Sequence, residues 1–200
     1  MTGADQRVGA VVLTHNRVTE LLRTLDRLTA LAERPAIVVV DNASRDGTAD
    51  RVARRFRAVR VVRLPVNVGA AARNLGVRLC LRPYVALYDD DTWWEPGSMT
   101  GAADLLDAHP DVAVVSGRVL VGPENRPTPP APKWRAARCR RGRACPAHPC
   151  LASSPALRMV RLRAFLAAGG FEPRLFLEPR SRCRRSTWPT PATRWSTPTM

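Results

Sequence analysis

The sequence predicts an α/β protein with a mostly parallel, Rossmann-like sheet covered by helices on both faces. Three observations predict it. Strand-length runs, apolar on both sides, alternate with helix-period segments through the first 122 residues, as expected of strands buried on both faces. Turn and capping residues punctuate that alternation. Polar side chains collect where four successive runs end, the edge at which such sheets bind ligands.

Taken in order, residues 8–14 (VGAVVLT) are a continuous apolar run of strand length. Residues 20–31 place Leu21, Leu22, Leu25 and Leu28 on one helical stripe, with Asn16 as the expected N-cap and Pro35 beyond the end. Residues 37–40 are a second buried strand, and Asp46-Gly47 is a turn signal. Residues 48–56 fit a helix with Val52 and Phe56 inward. Residues 59–64 form a third strand, 69–81 a helix, 84–88 a fourth strand and 96–108 a helix, with strand material over 112–121.

The chain has 200 residues, enough for one domain or two small ones, and 45% are hydrophobic. A chain of this size buries roughly 70% of its unfolded surface. No apolar run approaches the ~18 residues of a membrane span. Asp5, Arg7 and a short apolar run are not the pattern of a signal peptide. A cytoplasmic protein is expected, with peripheral contact at a membrane compatible with that. The net charge of +15 is unevenly spread. Residues 1–130 hold 17 basic and 15 acidic side chains, and residues 131–200 hold 15 and 2.

The strand ends carry Thr14-His15-Asn16, Asp41-Asn42, Asn67-Val68-Gly69 and Asp89-Asp90-Asp91. Adjacent carboxylates repel, and desolvation worsens this. A divalent cation relieves it, and hard oxygen ligands suit Mg²⁺ or Mn²⁺. Strand alternation directs Asp89 and Asp91 to a similar side. There is no GxxxxGK[ST], no GxGxxG after the first strand and no GxSxG. His15, His109 and His148 are too far apart for a zinc motif, and His109 before Pro110 reads as a solvated helix end. Carboxylates with a metal at this rim point to a phosphorylated or diphosphate ligand. Trp93 and Trp94 suit either a sugar-stacking surface or packing under the next helix.

Four segments, VVLTHNR (11–17), VVVDNASRDGT (38–48), NVGAAARNLGV (67–77) and YVALYDDDTWWEPG (84–97), resemble family-2 glycosyltransferases in order and spacing. A detached piece, FLAAGGF (165–171), resembles the family's acceptor-side segment. The resemblance implies a GT-A fold and a nucleotide-diphosphate sugar as partner. It implies that Thr14 and Asn16 lie near the base and that Asp41 bonds base or ribose. Arg73 and Asn74 would face the nucleotide-sugar, with Arg73 a diphosphate partner. Asp89 would lie near ribose or sugar and, with Asp91 in a DXD arrangement, hold Mg²⁺ or Mn²⁺ on the diphosphate. The sugar would pass to an acceptor hydroxyl, of a glycan, lipid or small molecule, with inversion. The family's catalytic base follows the GGF segment, and Glu178 is the carboxylate left there.

The implied organisation is a nucleotide-sugar-binding unit over 1–126, a basic Pro/Arg/Cys-rich irregular segment over 127–158, a remnant of the acceptor-side segment over 159–177 and an irregular basic tail over 178–200. The C-terminal third is expected to be poorly ordered, lacking apolar periodicity to offset chain entropy. Cys139, Cys145, His148 and Cys150 match no paired zinc spacing. Two alternatives accompany the transferase: an inactive nucleotide-sugar-binding protein and a basic nucleic-acid-binding protein. The latter lacks any reader motif, so nucleic acid is not expected as a partner. The chain has one Lys and one Ile, as GC-rich coding gives. Residues 127–158 and 178–200 therefore read as out-of-frame translation between compensating frame changes. Sequencing codons 120–200 should reveal those changes; a verified uninterrupted frame with a native peptide from 178–200 would overturn this.

Overall fold

A computed structural model describes residues 4–117, 120–121, 126–127 and 157–173. Its central strand, β1 (Val8–Thr14), is buried along nearly its whole length. The strands that follow are β2 (Ala36–Asp41), β3 (Arg60–Arg63), β4 (Tyr84–Asp89), β5 (Val114–Ser116), the short β6 (Leu120–Val121) and β7 (Arg126–Pro127), and β8 (Arg158–Arg161). Six of them make one sheet in the order β3-β2-β1-β4-β8-β5, while β6 and β7 pair separately. Strands β3, β2, β1 and β4 are mutually parallel, and β8 runs antiparallel to both neighbours.

Register sorts the side chains onto two faces, because residues paired across strands share a face and successive residues alternate. Val11 pairs with Val38 and Leu87, and all three lie in one buried cluster. Val12 pairs with Val39 and Tyr88, which lie in the other. Helices α1 (Val18–Thr29), α2 (Thr48–Arg55) and α4 (Ser98–Ala108) cover the second face through residues such as Leu21, Leu25, Val52, Met99 and Leu106. Helices α3 (Ala72–Cys80), entered by a 3₁₀ turn over Gly69–Ala71, and α5 (Leu162–Ala167) cover the first. The crossover thus changes face between β3 and β4, on the two sides of β1. That is a topological switch point, where open α/β sheets bind ligands.

The α/β architecture agrees with the expectation; three local details differ. Asn16 does not cap α1. It stands in the left-handed region (φ 53°), and its Oδ1 accepts the Arg45 N–H at 2.7 Å. The α1 N-terminus is served instead by Asp46, whose Oδ2 accepts the Val18 N–H at 3.2 Å while Oδ1 accepts the Thr48 N–H at 3.1 Å. One carboxylate therefore orders the starts of α1 and α2. Against the upward push of burial, hydrogen bonds from Thr48 and Val18 hold it below the usual carboxylate range. Next, the strand material over 112–121 is interrupted into β5 and β6. Finally, Arg158, assigned to the irregular segment, begins β8. That strand inserts between β4 and β5, so the sheet begun in 1–126 is completed from beyond residue 157. Pro127, the first residue of the irregular segment, lies in β7 and pairs with Leu120 of β6, and the expected irregularity over 128–156 and 178–200 lies outside the described residues.

Helix α3 approaches the sheet closely because Gly76 has no side chain. A Cβ there would stand 2.5 Å from Val11 Cγ1 and 2.8 Å from Val40 Cγ2. Both valines lie in fully buried strand, so there is little room to yield. Gly76→Ala should destabilise the fold by about 1–3 kcal/mol, the usual cost of overpacking. Val11→Ala in the same chain should recover part of that loss, measured as a double-mutant cycle in urea. Additive losses would show that the α3 contact does not set the spacing.

Candidate functional site

Three carboxylates sit at the end of β4, and each is held differently. Asp90 turns inward under α1 and is only 5% exposed. The Thr14 hydroxyl donates to its Oδ2 at 3.0 Å, and the Thr24 hydroxyl donates to its carbonyl oxygen at 2.8 Å. Arg17 Nη1 lies 3.0 Å from its Oδ1. Burial pushes the Asp90 carboxyl up to about 6, while the Thr14 hydrogen bond and the Arg17 charge pull against that rise. Asp91 is half exposed, and its Oδ2 accepts from the same Arg17 nitrogen at 3.0 Å. Asp89 pairs with Arg73, whose side chain is buried on α3.

Asp89 and Asp91 do not project to one side as alternation suggests. Strand β4 ends at Asp89, and Asp91 stands in the following turn, where the Asp89 N–H donates to Thr92 Oγ1 at 3.0 Å. The two carboxylates are engaged from opposite faces of the sheet, by α3 and by the start of α1. Among the described residues no group of three His, Cys, Asp or Glu side chains converges as a metal cage. Hard carboxylate oxygens at a half-open rim do fit Mg²⁺ or Mn²⁺ held by one or two carboxylates and completed by a ligand's phosphates.

Beside the carboxylates lies an open cleft of about 580 Å³. It is lined by His15 and Asn16 beyond β1, residues 43–45 beyond β2 and residues 64–67 beyond β3. The Asn42 carbonyl lies 2.8 Å from His15 Nδ1, and a carbonyl only accepts, so Nδ1 carries the proton. Nε2 then accepts from Asn16 Nδ2 at 3.1 Å. Asn42 Nδ2 donates to Asn67 Oδ1 at 2.7 Å, and its Oδ1 accepts the Val68 N–H at 3.0 Å. These bonds tie the three loops together. Ala43, at φ 67°, is a strained residue on the cleft wall, the kind of outlier that clusters at ligand sites.

The residues singled out from sequence separate here. Asn16 lines the cleft. Thr14 does not: it is buried, and its hydroxyl is spent on Asp90. Asp41 is buried at the end of β2, its Oδ1 accepting the Ser44 N–H at 2.9 Å to shape the turn beneath the cleft loops. Arg73 meets Asp89, and its guanidinium lies 5.9 Å from the Phe171 ring. Asn74 turns to the GGF segment: its Nδ2 donates to the Phe171 carbonyl and its Oδ1 accepts the Phe171 N–H, each at 2.8 Å. Glu178 lies outside the described residues. Trp94 is packed in the core, and Trp93, still exposed, stacks against the guanidinium of Arg27 in the last turn of α1 at 3.6 Å. Neither indole faces the cleft.

Sequence reasoning gave no role to Arg17, Asn42 or Asp90. Two signals pointed to them: an arginine three residues past a strand end facing a triple-Asp turn, and an Asn following the Asp41 strand end. Arg161 was also missed. Its guanidinium donates to the Leu106 carbonyl at 2.6 Å and its Nε to the Val112 carbonyl at 3.2 Å, closing the end of α4.

The model of glycosyl transferase family 2 matches residues 10–167. An uncharacterised glycosyltransferase of Bacillus subtilis (strain 168), YwdF, is 27% identical over 116 residues, covering 55% of this chain and 43% of its own length. Among solved structures, S. aureus TarS 1-349 superposes with a TM-score of 0.63 at 20% identity, over 84% of this chain and 51% of TarS 1-349. The mannosyltransferase PcManGT of Pyrobaculum calidifontis, solved with GDP-Man and Mn²⁺, gives 0.60 at 22% identity, over 84% and 48%. At these identities the likeness is one of fold, and it agrees with the expected GT-A type. The chain spans about half the length of these relatives. With four motifs on one sheet rim and the family model covering residues 10–167, the chain belongs to glycosyl transferase family 2.

Proposed function

We propose that this chain carries the sugar-donor half of a glycosyltransferase, binding a nucleotide-diphosphate sugar along the carboxyl rim of the sheet. The observation that carries this reading is the juxtaposition of the cleft between the β1, β2 and β3 loops with Asp89 and Asp91. The cleft would take the nucleoside, and the carboxylates would meet the diphosphate. Support comes from fold relatives solved with UDP, with UDP-GlcNAc, and with GDP-Man and Mn²⁺.

Within this reading His15 and Asn16 bound the nucleoside side of the cleft, and the loops pinned by Asn42 keep it open. Asp41 has Oδ1 committed to the Ser44 N–H, leaving its other oxygen for base or ribose. Asp91 would hold Mg²⁺ or Mn²⁺, which needs only one or two carboxylates beside the phosphates, and Asp89, turned to Arg73 on the other face, would lie near ribose or sugar. Such an ion supplies Lewis acidity that stabilises charge on a departing nucleoside diphosphate. Arg73, pinned by Asp89, places positive charge behind the same leaving group. Asn74 acts by position, holding the Phe171 backbone that leads toward the acceptor side. The acceptor hydroxyl must lose a proton as it attacks the anomeric carbon in an inverting displacement. Glu178 is the carboxylate proposed to take it.

Calorimetric titration with UDP- and GDP-sugars, with and without Mn²⁺, tests the binding half. Asp91→Ala should abolish the metal-dependent part of the affinity. Asp41→Ala should cost about 1–3 kcal/mol, the range for an unpaired buried hydrogen-bonding group. Unchanged affinity in both variants would place the nucleotide elsewhere.

Sugar transfer measured on the same preparation tests the second half. General-base help is typically worth ~10²–10⁴ in rate, so Glu178→Gln should lower transfer by about that factor without changing donor affinity. Binding without transfer, indifferent to Glu178, supports the inactive nucleotide-sugar-binding protein instead.

A further inference from the structure

Arg17 contacts two of the three carboxylates at the rim through one nitrogen. Its Nη1 lies 3.0 Å from Asp90 Oδ1 and 3.0 Å from Asp91 Oδ2. The two contacts differ in environment. Asp90 is buried and already takes the Thr14 hydroxyl at 3.0 Å, whereas the Asp91 and Arg17 side chains are 47% and 46% exposed. The Asp91 contact is therefore the one a competitor can break. Arg17 also stands at the N-cap position just before α1, its carbonyl accepting the Leu21 N–H at 3.0 Å. The amino end of a helix carries partial positive charge, so the backbone beside this guanidinium adds to the local repulsion of a cation.

We infer that Arg17 is a positioning residue that occupies Asp91 in place of the divalent cation, holding the carboxylate at the rim and opposing metal binding until a diphosphate arrives. This rests on the donor-site reading above. The physical sequence is an exchange of counter-charges. Without nucleotide, one guanidinium is shared between the two adjacent carboxylates and offsets part of their charge, so a divalent cation gains Asp91 only by displacing it. With a diphosphate present, added negative charge favours the cation and offers the displaced guanidinium a second anionic partner beside Asp90. Arg17 thereby makes metal binding conditional on nucleotide. The arginine side chain does not cap α1, whose first N–H is taken by Asp46, so its removal leaves the helix start intact.

The test is equilibrium Mn²⁺ binding to the full chain, followed by the free-ion electron paramagnetic resonance signal, without and with UDP. Arg17→Leu should bind Mn²⁺ about two- to fivefold more tightly than wild type without nucleotide, the scale of a half-exposed ion pair, and the gain should shrink with added salt and with UDP. Arg17→Lys, keeping the charge, should stay near wild type. Asp91→Ala should lose the site in both the wild-type and Arg17→Leu backgrounds. No gain in Arg17→Leu, with Asp91→Ala still abolishing binding, overturns this inference and leaves the metal reading standing. Mn²⁺ binding indifferent to Asp91 overturns both.

Discussion

A single buried carboxylate organises the rim. Asp90 cannot sit under α1 uncompensated, because a desolvated charge without partners costs several kcal/mol. Thr14 from β1 and Arg17 from the start of α1 supply the hydrogen bond and the counter-charge, and Thr24 binds the same residue's backbone. Two strands and a helix are thereby fastened at one point. Once Asp90 is turned inward, its neighbours have no freedom to follow it: Asp89 ends the strand against α3, and Asp91 is carried out into the turn. The spread of the three carboxylates follows from the burial of the middle one.

Helix α3 transmits that arrangement to the far side of the site. Arg73, Gly76, Val77 and Cys80 fall on one helical stripe, and all four are buried. An arginine on such a stripe needs a partner, and Asp89 meets it. The missing side chain at Gly76 brings the helix down onto Val11 and Val40 and so brings Arg73 within reach of the strand end. The next residue, Asn74, points off the stripe and grips the Phe171 backbone. Gly170, at φ 74°, tolerates this grip only as glycine, since a Cβ would stand 2.4 Å from Asn74 Oδ1. Two consecutive residues thus couple the carboxylate rim to the GGF segment.

Much of this was legible in the residues. Apolar runs such as VGAVVLT and YVALY announce strands buried on both faces, because only such strands dispense with alternation. The Leu21, Leu25, Leu28 stripe announces α1 equally well. What periodicity could not reveal was which polar group serves which. Asn16 has the composition of a cap, but its left-handed backbone points it at Arg45, and a residue from the next loop takes the capping role. Thr14 looked like a ligand contact and is a prop for Asp90. Strand β8 was hidden because RMVR has arginine at both ends and only two apolar residues; its burial comes from β4 and β5 on either side, not from its own sequence.

That inserted strand has a consequence for how the chain is made. Residues 114–116 emerge from synthesis well before residues 158–161, yet their sheet partner among the described residues is β8. Until the later segment appears, β4 and β5 both lack the strand that pairs with them among the described residues. Closing this half of the sheet needs contacts across more than 40 residues of sequence for β5 and more than 70 for β4, as far as the β1–β4 pairing already reaches, whereas β1 to β2 and β2 to β3 join through local crossovers. Long-range pairing of this kind is slow, and an open edge is where chains stick to one another. The vulnerable interval in the life of this protein is the one between the fourth strand leaving the ribosome and the eighth.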